Sequence, residues 1–281
     1  MAFLCILLGI ILQRSIEQLD QLRQFHWYDT YSQWILDHLP GLGKQGISSI
    51  IILLLPIFIS TLLLQGWLDD TLFGFFSLMF GLMIFLFCLG PDDLDRDVDA
   101  YLKAYENGDT QRSQILASKL IAADSPSSPD QQIAEVMRGI LHQANERIFA
   151  VIFWFVLLGP AGALLFRLSC HSIKHSHPTI AAAAKKLQAI LAWAPAHLVA
   201  MAYALTGNYE GASAGFRDKI PQNDLSHCNY YTLVTAGLGA LKDCAPGEET
   251  SCIRATRGLV LRSLVVWLAT LALLTLIGWV A

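Results

Sequence analysis

Four long apolar runs alternate along this chain with stretches patterned like ordinary amphipathic helix. Ile47–Leu64 and Thr71–Leu89 contain no charged residue, Ile148–Leu168 carries only Arg167 near its end, and Leu259–Val280 carries only Arg262 near its start. Each run holds 18 to 22 residues, matching the roughly 20 that a helix needs to cross the hydrocarbon core of a bilayer. Inside that core every backbone N–H and C=O must find a partner within the protein, and a helix supplies those partners from its own segment. The pattern predicts an all-α, polytopic helical membrane protein with the lipid bilayer as its first partner.

The first 46 residues follow a different pattern. Ala2–Leu12 is apolar but short for a span, and it lacks the basic flank and small-residue cleavage motif of a removed signal peptide. Beyond it Ile16, Leu19, Leu22 and Trp27 recur at helical spacing among Arg14, Glu17, Asp20 and Arg23. Residues 1–46 therefore read as a hydrophobic helix emerging along the membrane interface, and 47–89 as a transmembrane hairpin. The Gly66–Asp70 connection carries two aspartates and no Lys or Arg, whereas Arg14, Arg23, Lys44, Arg96, Lys103 and Arg112 flank the hairpin. The positive-inside rule then puts the hairpin tip outside and 90–147 in the cytoplasm.

That cytoplasmic insertion reads as three helices. Gly90-Pro91-Asp92-Asp93 is a helix start with proline and acids in the first turn. Asn107-Gly108-Asp109 breaks the helix, and Asp109 caps a second one running to about Ala122. Ser128-Pro129-Asp130-Gln131 has capping-box spacing. Ile133, Val136, Ile140 and Ala144 then recur at i+3/i+4 and lead into Ile148 without a joint. In 148–205, Ala184, Ala192, Ala196, Ala200 and Ala204 form a stripe of small residues suited to close helix packing, so Ile180–Leu205 is expected to be a partly buried helix. Residues 206–258 form a polar helical segment and 259–281 a C-terminal span. Ala100-Tyr101 before Asn107-Gly108-Asp109 is echoed by Ala202-Tyr203 before Gly207-Asn208, each a helix ending near Gly and restarting on a capping residue.

Composition supports the solvent assignment. Charged residues make up 15% of the chain and hydrophobic ones 54%, against about 25% charged in soluble domains. A net charge of −4 and a pI of about 6.0 leave no basic footprint for nucleic acid. Of the six cysteines, Cys228, Cys244 and Cys252 share one polar segment. The charge argument favours the cytoplasm for that segment, so they are expected to be reduced.

No complete catalytic set stands out, and no resident cofactor or metal is expected. Asp93, Asp95, Asp97 and Asp99 fail as a calcium loop, because Val98 and Ala104 occupy the positions that need glycine and glutamate. On a helix Asp92, Asp95 and Asp99 share a face, either a solvated acidic first turn or a pair of carboxylates for a hydrated Mg²⁺. His171, His175 and His177 lack a Glu or Cys to complete a zinc set and read as interfacial histidines. Gly41-Leu42-Gly43-Lys44 lacks the other residues of a phosphate loop and reads as a turn. Asn145-Glu146-Arg147 is the sharpest polar cluster, at the mouth of the third apolar run, where charged groups enter the membrane. Gly159-Pro160-Ala161-Gly162 within that run predicts a kink or close packing.

Taken together, these residues resemble a known family. Leu89-Gly90-Pro91-Asp92-Asp93-Leu94, Asp97-Val98-x-Ala100-Tyr101-Leu102, Gly108-Asp109, Asn145-x-Arg147 ahead of Phe153-Trp154, Ala194-Pro195 and Tyr203-Ala204-Leu205-x-Gly207 stand in the order seen in AmpE proteins. The resemblance implies a multi-pass protein of the bacterial inner membrane that modulates β-lactamase induction in connection with cell-wall recycling, alongside a cytoplasmic muropeptide amidase, AmpD. It marks Asn145, Glu146, Arg147 and Trp154 as the functional cluster. AmpE proteins are in turn distantly similar to CobD/CbiB, which form an amide bond on a corrin side chain using ATP. By that likeness an ATP- and Mg²⁺-dependent enzyme is the alternative, with Asp95, Asp99 and Glu146 as its acidic groups. However, Glu146-Arg147 stands where those enzymes have Asp-Gly, and Cys170-His171-Ser172-Ile173 lacks their aspartate. A carrier of cell-wall fragments, using Pro160 and the alanine stripe, is a third reading.

Overall fold

The computed structural model describes residues 2–15, 25–38, 46–69, 75–89, 93–126, 128–175, 177–217, 224–241 and 249–278. Among them the chain is helical, with no strand. The interfacial stretch through Ile16, Leu19 and Leu22, the Gly41–Lys44 turn, the Gly90–Asp92 helix start and Cys244 lie outside the described residues. The chain divides into two compact units, one of residues 1–91, 150–193 and 271–281, the other of residues 92–149 and 194–270.

The first unit contains α1 (Ala2–Ser15), α2 (His26–His38), α3 (Ile47–Asp69), α4 (Phe75–Cys88), α8 (Ala150–His175) and the first part of α9 (Pro178–Thr206). Helix α3 is apolar on every side. Its Leu55, Leu63 and Trp67 are exposed, as are Phe75, Met79 and Met83 of α4. So much uncompensated apolar surface is stable only against lipid. Ile47–Leu68, 131–174, Pro178–Thr206 and Thr250–Leu276 are each long and apolar enough to cross a bilayer. The protein is thus an all-α polytopic membrane protein.

The kink expected at Gly159-Pro160 is present and sharp. Gly159 has φ 68° and ψ −157°, a conformation essentially restricted to glycine, and Pro160 disfavours helical geometry in the residue before it. On the near side of the break the Phe155 ring packs on Phe85 of α4 at 5.0 Å. At the break Pro160 lies beside Gly81. Beyond it Arg167 lies over Phe25, which stacks on Phe87. The third apolar run therefore packs on α4 as two helical pieces broken at Gly159 and not as one straight rod.

The second unit contains α5 (Leu94–Glu106), α6 (Thr110–Ile121), α7 (Pro129–Ala144), a π-helical turn (Asn145–Phe149), the end of α9, α10 (Tyr209–Arg217), α11 (Leu225–Ala240) and most of α12 (Glu249–Leu276). Asp93 caps α5 by accepting from Asp95 N at 3.1 Å, and Asp109 caps α6 by accepting from Arg112 N at 3.0 Å. Each satisfies an otherwise orphaned helix-start donor. Asn208 does the same for α10, so both halves of the sequence echo restart on a side-chain cap. Ser128 sits at the start of α7 without a side-chain cap bond. The core joins Val98, Tyr101, Leu120, Ile140, Val199 and Tyr203, all buried. The alanine stripe of α9 is buried throughout.

The expected run-on from α7 toward α8 is present, one helical stretch over residues 131–174 that includes the π-helical turn. One further expectation is corrected. Cys252 is disulfide-bonded and Cys228 is not; a charge count along the chain does not sense which thiols the fold brings together.

Candidate functional site

The polar residues of interest converge in the second unit, around α5. That helix buries Leu94, Val98, Tyr101 and Leu102, and Asp97 lies on the same face. A buried carboxylate needs a charged partner, and Asp97 has two. Its Oδ2 accepts from Arg147 Nη1 at 2.8 Å and its Oδ1 from Lys119 Nζ at 2.8 Å. Arg147 and Asp97 are nearly buried, at 14% and 10% side-chain exposure, and Lys119 is at 41%. The pair ties α5 to the π-helical turn, while Lys119 adds α6.

That turn has a local cause and a local consequence. The Asn145 N–H bonds His142 O instead of Leu141 O as an α-helix would require, and Leu141 O accepts from the buried Tyr203 hydroxyl at 3.3 Å. π-Helical turns recur at functional positions because they re-aim side chains. Here the turn buries Asn145 to 2% exposure, and its Oδ1 has no hydrogen-bond partner. A buried acceptor left unpaired costs about 1–3 kcal/mol, a penalty that a binding donor would relieve. Glu146 is half-buried.

Asp95 and Asp99, one helical turn apart, both receive Arg257 of α12. Arg257 Nε donates to Asp95, and Nη1 donates to Asp99 Oδ1 at 2.5 Å. Arg254, three residues earlier, pairs with Glu106 at the other end of α5. The acidic face proposed for a cation is therefore held by a guanidinium. Among the described residues no group of three or more His, Cys, Asp or Glu is arranged to hold a metal ion, and Asp92 lies outside them.

Trp154 belongs to the first unit, where its Nε1 donates to Leu191 O at 3.0 Å. His171 is likewise in the first unit, paired with Asp29 at 2.7 Å, and His177 Nδ1 is 3.1 Å from Thr179 Oγ1. Lys119 and Arg257 were not singled out by the sequence, and Asp97 entered only through a failed calcium loop and the family resemblance. For Asp97 a signal existed, an aspartate in phase with Leu94, Val98 and Tyr101; for Arg257 none did.

Burial also acts on the tyrosines of this unit. It pushes the Tyr101 hydroxyl up to about 12 against a small lowering by nearby Ser113. It raises Tyr230 too, with Glu135 adding to the shift and Arg138 opposing it.

Comparison with known proteins places these residues in context. A family model described as "Regulatory signalling modulator protein AmpE" matches residues 1–281. A cobalamin biosynthesis protein CobD of Stutzerimonas stutzeri is 25% identical over 208 residues, covering 72% of this chain and 66% of its own. A CobD of Chromobacterium violaceum is 27% identical over 163 residues, covering 54% and 51%. The chain thus spans between half and two-thirds of the length of these curated relatives. No solved structure matches.

Proposed function

Because this chain belongs to the AmpE family, whose model it matches from end to end, we propose that it modulates β-lactamase induction from the bacterial inner membrane in connection with muropeptide recycling. Its working part is the second unit, centred on Asn145, Glu146 and Arg147. The observation that carries the reading is the Asp97–Arg147 pair beside the orphaned Asn145 Oδ1. This is a polar, prestressed spot on a helix leading into an apolar run, suited to sensing a ligand or a partner such as an AmpD-like amidase. Asp95 and Asp99, which the enzyme alternative needs for Mg²⁺, are engaged by Arg257, and this supports a regulatory role over a catalytic one. Deleting the gene in a strain with inducible β-lactamase is expected to shift both the inducer response and the cytoplasmic muropeptide pool. Restoration by the wild-type gene and not by an Arg147→Ala copy is the further expectation. An unchanged response with unchanged pools counts against the proposal.

A second reading rests on the likeness to the cobalamin biosynthesis proteins, which extends over 72% of this chain. Under it Asp95, Asp99 and Glu146 would serve an ATP- and Mg²⁺-dependent reaction. Nucleotide binding by the purified protein at millimolar ATP, lost on Glu146→Ala, favours that reading; no binding removes it.

A further inference from the structure

Beyond Gly159 the second half of α8 starts back alongside the first. A Cβ on Gly162 would stand 2.5 Å from Trp154 O, although eight residues of continuous helix rise about 12 Å. Only glycine can make this turn. The φ of Gly159 is 68°, and a Cβ there would stand 2.6 Å from Nε2 of Gln65, an α3 side chain lodged against the break. The neighbours on α4 agree with a return. Phe155, before the break, packs on Phe85, and Pro160 lies beside Gly81. After the break Leu164 lines one hollow with Leu86 and Phe87. Both halves therefore lie along α4 on the Cys88 side of Gly81. Irregular backbone at membrane depth is tolerated where protein covers it, and Pro160, Ala161 and Ala163 are buried.

Length and charge point the same way. Residues 150–158 and 160–175 extend about 14 Å and about 24 Å, and neither reaches the roughly 30 Å of a hydrocarbon core. Past the apolar run, residues 169–187 carry Lys174, Lys185 and Lys186 and no Asp or Glu. The positive-inside rule puts that stretch in the cytoplasm, the compartment the same rule gives to residues 90–147. A run that crossed once between the two would leave one of them on the wrong side. We propose that α8 is a re-entrant hairpin that dips into the membrane, turns at Gly159 against Gln65, and returns to the face it entered from. The third apolar run is then long enough to span the bilayer but does not span it. This inference concerns the path of the chain through the membrane and does not rest on the proposed function.

Cysteine labelling of the full chain tests the path. Gln131→Cys lies before the apolar run, and Lys174→Cys and His177→Cys lie after it, all three at exposed positions away from the break. Each variant is treated with a membrane-impermeant maleimide in right-side-out and in inverted membrane vesicles. Mass spectrometry of the labelled peptides separates the introduced thiol from the native ones. All three sites are expected to react in inverted vesicles, with labelling lost in right-side-out ones. The two positions after the run check each other, so a local disturbance at one of them does not decide the result. Reaction of Gln131→Cys in one kind of vesicle and of both Lys174→Cys and His177→Cys in the other means that α8 crosses, and overturns the proposal.

Discussion

The Asp97 carboxylate and the Arg147 guanidinium, 50 residues apart, meet at 2.8 Å in a largely buried setting. The pair costs desolvation to assemble, but removing one member takes a close partner from the other in a largely buried setting. Asp97→Asn, which deprives both Arg147 and Lys119, is expected to lower the stability of the second unit by about 3 kcal/mol, and Arg147→Met, which leaves Lys119 on Asp97, by less. Combining Arg147→Met with Asp97→Asn is expected to cost less than the sum of the two, because the interaction between them is lost only once. Lys119→Ala, at a far more exposed position, is expected to cost less than about 1 kcal/mol. Unfolding in detergent, assembled into a double-mutant cycle, measures all four.

Arg257 occupies the acidic face that the sequence offered for a cation. The wild-type protein is accordingly expected to show no change in unfolding temperature with millimolar Mg²⁺. In Arg257→Gln the Asp95 and Asp99 carboxylates are left facing each other one turn apart, and Mg²⁺ is expected to raise the unfolding temperature. A magnesium titration followed by circular dichroism compares the two. A wild-type response abolished by Asp95→Ala would instead support the enzyme reading.

Much of this was visible in the chain before folding, and the reason differs from element to element. Long uncharged runs declare their solvent regardless of tertiary structure, so the membrane class was legible. Asp93, Asp109 and Asn208 act within three residues of themselves, so their capping roles were legible too. Gly159 and Pro160 announced a break, but periodicity carries no information about neighbours, and the packing of Pro160 beside Gly81 shows only in the fold. Arg257 pairs with residues about 160 positions away, and no local pattern points to it. Trp154 entered through the family resemblance, and its hydrogen bond to Leu191 O has no local signature in the sequence. Asp97 was weighed only within a failed calcium loop, because spacing alone did not separate the one aspartate on the apolar face from the half-buried Asp95 and Asp99.

A glycine seam joins α10 to α11. A Cβ at Gly211 would stand 2.1 Å from Gly239 O, and one at Gly239 would stand 2.3 Å from Gly211 O. Both obstacles are backbone, so no rotamer change relieves them. Gly211→Ala is expected to destabilise the pair by at least about 2 kcal/mol through overpacking. Gly66→Ala in α3, where nothing lies within 4 Å, is expected to be neutral or to add about 0.5–1 kcal/mol from helix propensity. Thermal unfolding of the two variants side by side distinguishes packing from a general intolerance of alanine.

Tyr101 gives the second unit an alkaline limit. The side chain is fully buried, and burial pushes its hydroxyl from an ordinary value of 10.0 to about 12. The folded state therefore keeps a proton that the unfolded chain has already released. Below about pH 10 both states are neutral and this group leaves stability unchanged with pH. Between the two values the unfolded state gains an ionisation the folded state lacks, and stability falls by about 1.4 kcal/mol per pH unit. Tyr101→Phe removes that slope. The phenylalanine variant is expected to stay within about 1 kcal/mol of the wild type at neutral pH, since at most a weak contact with Ser113 is lost while a buried polar atom disappears. Measured from about pH 9 to 12, the stability difference between the two proteins should widen in favour of Tyr101→Phe; parallel curves would mean that Tyr101 ionises as readily in the fold as outside it.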